Sequence, residues 1–200
     1  MRPANTVQMD SHATASLRYI RSTMEAAAAL AVPGSAGIAM GTVGLIAAAL
    51  TSAPFLHPYW IGTWLVAAVL AAAIGAALMA RNSRPRGLAL SGAPIRKFAL
   101  CLLPSLFAGA IMTVVEWSSA DLHAIPGTWL LLYGCALIAA SVPTTRTLAI
   151  GVLGGLFAAL GLFALLAPDA LQMLLLGAGF GGLHIVFGLL IAKTTNGRQS

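Results

Sequence analysis

One ionisable side chain interrupts an otherwise apolar run near the end of this chain. His184 lies about 13 residues into the stretch 171–192, roughly 20 Å from one end of a helix at 1.5 Å per residue. An ionisable group inside an apolar crossing is a functional candidate by default. As a proton-binding group it would change charge near physiological pH; as a neutral imidazole it would supply one hydrogen bond across a bundle. Ser105, Gly109, Thr113 and Glu116 form a second polar or small stripe, spaced i, i+4, i+8 and i+11, in the run 98–117. Ser105 falls ~10 Å and His184 ~13 Å from the same end of their helices, depths that allow the two to meet. Glu116, ~27 Å along, is expected at a helix end in solvent. Pro104 removes a donor and frees the carbonyl of Leu100. Tyr133 and Thr128 are further hydrogen-bonding candidates within the bundle.

These residues define a polar track suited to binding a proton or a ligand. They do not define a catalytic site. The chain has no GxSxG, no HExxH, no phosphate-binding glycine loop and no intramembrane aspartate pair. We therefore expect no enzyme activity and no cofactor. Glu116, Asp121, His123, His57 and Asp169 gather in the outer segments without HxxxH or paired-acid spacing, so no metal site is expected. Cys101 and Cys135 differ in depth by more than about 10 Å, which puts a disulfide out of reach.

The elements that position these groups follow from composition. Of the 200 residues, 59% are hydrophobic and 8% charged, against ~25% charged in soluble domains. Mean hydropathy is +0.91. Six apolar runs, 35–53, 59–80, 98–117, 127–143, 148–167 and 171–192, each fit one crossing of a ~30 Å hydrocarbon core. They lack period-two alternation, so helices rather than barrel strands are predicted. The expected fold is all-α: a polytopic membrane protein of six transmembrane helices. Residues 1–13 read as a flexible N-terminus. Residues 14–32 read as a cytoplasmic amphipathic lead-in helix, broken from the first crossing by Pro33 and Gly34. Residues 33–193 form the transmembrane domain, and 194–200 a cytoplasmic tail. The first residues carry no compact signal-peptide core, so the chain is read as uncleaved.

All 11 Lys and Arg residues lie outside the six runs. With the N-terminus in the cytoplasm, all of them fall inside, and the outer loops 54–58, 118–126 and 168–170 carry none. This predicts a bacterial inner-membrane protein with both termini cytoplasmic. Tyr59, Trp60, Trp64, Trp117 and Trp129 are expected to form an outer aromatic belt. The basic loop 81–97 is a candidate surface for a cytoplasmic protein partner. The net charge of +6 serves orientation and contact with the lipid bilayer, not nucleic acid.

Small residues are expected to pack the bundle: Gly37 and Gly41 in the first crossing, Gly151 and Gly155 in the fifth, and Gly177, Gly181 and Gly188 in the sixth. At 100° per residue, His184 shares the glycine face of the sixth crossing. Such spacings also permit a homo-oligomer.

The strings AVPGSAGIAMG (31–41), RKFALCLLPSLFAGA (96–110), PGTWLLLYG (126–134) and GAGFGGLHIVFGLLIA (177–192) together resemble a group of uncharacterised six-helix bacterial integral membrane proteins. The resemblance covers residues ~18–193, nearly all of the predicted crossings. It implies the same architecture and, because a winged-helix regulator is often encoded near members of the group, a regulatory role. It implies no activity and no site residues. The functional expectation is a membrane-embedded sensor or regulatory partner that binds an apolar ligand or lipid. The alternative is a small proton-linked transporter or channel using a polar path near His184.

Overall fold

Hydrocarbon offers the backbone no hydrogen-bonding partner, so each apolar run must satisfy its own N–H and C=O groups. Each does so as a helix. The computed structural model describes residues 14–22, 32–83, 93–142, 144 and 147–196, and no strand occurs among them. The helices are α1 (Gly34–Ser52), α2 (Trp60–Ser83), α3 (Ala93–Ser118), α4 (Ala124–Ser141), α5 (Thr147–Leu166), α6 (Asp169–Leu176) and α7 (His184–Asn196). A π-helical segment, Gly177–Leu183, joins α6 and α7 into one long, irregular crossing. Six segments are thus long and apolar enough to span a membrane. The protein is an all-α, multi-pass membrane protein by architecture.

Local chemistry explains the helix ends. Extended Pro33 precedes α1, where its fixed φ and missing N–H cost nothing. A short 3₁₀ turn, His57–Tyr59, carries Pro58 into α2. The α3 terminus is a Schellman cap. The Asp121 N–H donates to the Glu116 carbonyl at 2.9 Å, and the Ala120 N–H to the Trp117 carbonyl at 3.2 Å. Ala120 occupies the left-handed position of that cap, with φ of 59°, where glycine is the usual residue. At the α5 end, Gln172 Nε2 donates to the carbonyls of Ala164 and Ala167, the first of which also accepts from the Ala167 N–H at 3.2 Å. Of the lead-in helix, residues 14–22 are helical and exposed, while 1–13 and 23–31 lie outside the described residues. So do 84–92 of the basic loop and 197–200 of the tail; Arg81, Arg96, Lys97 and Lys193 are exposed.

Two close seams organise the bundle. The first joins α1 antiparallel to the last crossing. A Cβ on Gly41 would stand 2.6 Å from the Gly181 carbonyl, and one on Gly188 would stand 2.7 Å from the Gly34 carbonyl. Gly37 and Gly177 lie along the same seam. The second joins α4 antiparallel to α5, where a Cβ on Gly134 would meet the Gly154 carbonyl at 2.6 Å. Backbones this close exchange dispersion contacts along their whole length, which is how helices associate without a hydrophobic drive between them.

The α4–α5 seam corrects one expectation. It uses Gly154 and Gly161, whereas a Cβ on Gly155 would meet nothing within 4 Å and one on Gly151 makes only ordinary contact with Ser141. One residue of offset turns a position 100° around the helix, away from α4.

Helices α2 and α3 behave differently. The former packs on α1 and the latter on α4, and the two do not pack against each other. That gap is where the candidate site lies.

Candidate functional site

Four of the five sequence-selected residues converge on one cavity. Ser105 and Thr113 of α3, Tyr133 of α4 and His184 of α7 all line a space of about 330 Å³. Met40 and Gly44 of α1 close it from behind. Trp64, Ala68 and Ala72 of α2 face Leu106 and Gly109 of α3 across the unpacked gap. The cavity therefore opens between α2 and α3, against the first half of α2 and the second half of α3. Its volume is at the lower end of the ~300–1,000 Å³ typical of ligand pockets. The wall is mostly apolar, and no Lys, Arg, Asp or Glu contributes to it.

His184 sits in an aromatic nest. It is 6% exposed. The Phe157 ring stands edge-on at 5.2 Å, Phe180 is stacked at 6.4 Å, and Tyr133 is tilted at 5.5 Å. Nε2 lies 2.9 Å from Tyr133 Oη, and Nδ1 lies 3.1 Å from the Phe180 carbonyl.

One expectation about His184 needs correction. Its nitrogens bond to Tyr133 and Phe180, not to Ser105, although both side chains border the cavity. Its backbone does lie on the glycine seam, where a Cβ on Gly37 would stand 3.0 Å from the His184 carbonyl, and its ring reaches past that seam to α4 and α5. The π segment Gly177–Leu183 ends directly before it.

Glu116 also departs from expectation. It is not solvated at a helix end but 6% exposed, with Oε1 accepting from Thr128 Oγ1 at 2.6 Å and Oε2 buried without a partner. The Schellman cap folds the chain over this helix end, and α4 covers the carboxyl. One turn earlier, Thr113 Oγ1 donates to the Gly109 carbonyl at 2.7 Å and accepts from Trp129 Nε1–H at 2.7 Å. These two links hold α3 to α4. Glu116 itself lies outside the cavity wall.

Neither sequence track contained Trp64, Phe157 or Phe180, yet these rings build the site. Trp64 was expected in the outer belt. It is instead 4% exposed, 5.9 Å from the Phe180 ring, with its indole N–H unpartnered. A signal existed: Trp60 and Trp64 are one turn apart, so the second lies ~6 Å deeper than the first. Tyr59 and Trp117 are well exposed at that end, and the Trp60 ring packs on Trp129 at 5.9 Å. Close to the same end, His123 Nδ1 contacts Asp169 Oδ1, tying the start of α4 to the start of α6. Cys101 and Cys135 are both free thiols.

No protein-family model, curated protein or solved structure matches the chain. The resemblance to six-helix bacterial membrane proteins is supported by the six apolar helices alone.

Proposed function

We propose that this chain is an integral inner-membrane protein that binds an apolar ligand drawn from the bilayer and signals its occupancy to a cytoplasmic partner, without catalysing a reaction. One observation carries the reading: an apolar cavity with a few convergent polar groups, opening between the two helices that do not pack together. Such a pocket is the default binding-site hypothesis. A lateral opening suits a ligand dissolved in lipid, because it need not cross water to reach the site. Orientation rests on the distribution of Lys and Arg, which places both termini and the 81–97 loop in the cytoplasm. That basic face is where a partner would read occupancy; a homo-oligomer formed through the lipid-facing helices would be a second route.

The test is saturable binding. 1-Bromo-4-hexylbenzene carries a heavy atom that quenches indole fluorescence, and Trp64 and Trp129 both line the cavity. The purified protein in detergent should show quenching that saturates, and Ala68→Phe, which projects into the cavity, should abolish saturation without loss of helical content. Quenching that rises linearly and equally in both proteins would remove the ligand-binding reading.

A proton-linked transporter is the second reading. It is favoured by the break in the last crossing, where a π segment sits immediately before a buried histidine, since transporters use interrupted helices at mid-depth. Under that reading, His184→Leu inserts normally but abolishes any pH-gradient-driven flux in vesicles. Wild-type vesicles that show no such flux leave the first reading in place.

A further inference from the structure

Hydrogen-bond roles around His184 fix what the cavity can offer a ligand. A carbonyl only accepts, so the proton of the 3.1 Å contact with Phe180 belongs to Nδ1. Among the described residues no carboxylate pairs with His184, and an uncompensated buried charge is costly, so the ring is neutral. A neutral imidazole protonated at Nδ1 has an accepting Nε2. Tyr133 must then donate its hydroxyl proton to Nε2 across 2.9 Å. Toward the cavity, Tyr133 is left with lone pairs only: it can accept and cannot donate.

Thr113 has nothing left to give, since it donates to Gly109 and accepts from Trp129. Ser105, halfway along α3, has no hydrogen bond within the protein among the described residues and faces the same cavity. Trp64, on the opposite wall, keeps an indole N–H without an acceptor. The Trp64 nitrogen is itself fully buried, so the site offers a fixed acceptor at Tyr133 and an unsatisfied donor at Ser105. A hydroxyl both donates and accepts at a single neutral atom, and is cheaper to carry into an apolar wall than an amide, which brings two polar atoms. A carbonyl or ether cannot donate to Tyr133. Carboxylates and phosphates are excluded by a wall with no cationic side chain.

The body of the ligand follows from the lining. Four aromatic rings, those of Trp64, Trp129, Tyr133 and Phe180, border a space about twice the ~150 Å³ apolar cavity that accepts a benzene ring. We propose that the cavity is selective for a membrane-dissolved phenol-type hydrophobe, a hydroxylated aromatic ring with an apolar tail, whose hydroxyl donates to Tyr133 Oη. This rests on the ligand-binding reading above and sharpens it to a chemical class.

The experiment uses a matched pair, 4-hexylphenol and its methyl ether 4-hexylanisole, titrated into the purified full-length protein with free concentrations corrected for micelle partition. The two share ring and tail, and only the phenol can donate. Wild type should bind the phenol about tenfold more tightly, the effect of one hydrogen bond worth ~1.4 kcal/mol. Tyr133→Phe should still bind both but bring the ratio near one. Ser105→Ala should weaken both compounds and keep the phenol ahead. Equal binding of phenol and ether by wild type overturns the assignment of ligand class while leaving the cavity a binding site. So does a preference that survives in Tyr133→Phe. Failure of both compounds to bind wild type overturns the ligand-binding reading itself.

Discussion

Neighbouring glycines on α5 provide a sharp test of the packing. A Cβ on Gly154 would lie 2.8 Å from the Gly134 carbonyl and 2.8 Å from the Ile138 backbone nitrogen, about 0.6 Å short of the 3.4 Å at which ordinary contact begins. Both obstacles include α4 backbone, which cannot rotate aside, so Gly154→Ala must push the two helices apart. A gap of 0.5–1 Å forfeits roughly a quarter to a half of each dispersion contact, and overpacking of this kind costs ~1–3 kcal/mol. Gly155→Ala meets nothing within 4 Å, and alanine gains up to ~1 kcal/mol over glycine in a helix interior. Both substitutions share that propensity gain, so the two variants should differ by the overpacking cost of about 1–3 kcal/mol, with Gly154→Ala the less stable. Reversible unfolding in mixed detergent micelles with increasing SDS, followed by circular dichroism, measures the difference. If both variants unfold at the same SDS fraction, the α4–α5 seam described above is wrong.

Three further substitutions and one labelling experiment extend the test. Ala120→Gly should stabilise the protein by about 0.5–1 kcal/mol in the same assay, because it relieves the left-handed backbone at the α3 cap. Gln172→Leu should cost about 1–3 kcal/mol, since the Ala167 carbonyl just past α5 loses its donor, while Ala164 keeps the Ala167 N–H. Thr128→Val should cost about 1–3 kcal/mol by stranding the Glu116 carboxyl, and adding Glu116→Leu should recover most of that loss; a double variant worse than the single one would show that Glu116 has another partner. In a background lacking Cys101 and Cys135, cysteines at positions 57, 121 and 169 should react with an impermeant maleimide from outside intact cells, and one at position 90 should not; external labelling at 90 would invert the topology.

The sequence is most legible where lipid physics leaves no choice. Every predicted crossing has its helix: the run 127–143 is Ala124–Ser141, and the run 98–117 is Ala93–Ser118. Facing is another matter. Gly155 and the hydrogen-bond partners of His184 depart from expectation in which side of a helix meets which neighbour, and Trp64 and Glu116 in how deeply they are buried near a helix end. In a soluble protein the polar face marks the outside. Here lipid and core are both apolar, so the helices carry leucine and valine all round, and no stripe separates packed from lipid-exposed positions. Ser105, Thr113, Tyr133 and His184 were findable because a polar atom in hydrocarbon needs a reason to be there. The aromatic rings that enclose them were not, since Phe157 and Phe180 are equally at home in lipid. The π segment was hidden for a related reason: its glycines read as close-packing residues, and they are that as well as a widened turn.

The gap between α2 and α3 needs explaining, because small residues usually draw helices together and Ala68, Ala72 and Gly109 line it. Helix α3 is held elsewhere. Thr113 and Glu116 bond it to Trp129 and Thr128 of α4, and Gly109 lets it rest on Leu132. An apolar void of 330 Å³ left empty would cost on the order of 8 kcal/mol at ~24 cal/mol per Å³. The lateral opening means that it need not stay empty: an acyl chain can slide in from the bilayer. Any specific ligand therefore competes against lipid tails, not against water or vacuum. Apolar contact cannot decide that competition, since an acyl chain supplies as much of it. What a tail cannot do is satisfy Ser105 and the lone pairs of Tyr133. Selectivity must come from those few polar atoms, and for this reason the matched phenol and ether probe the site more directly than any comparison of hydrophobicity.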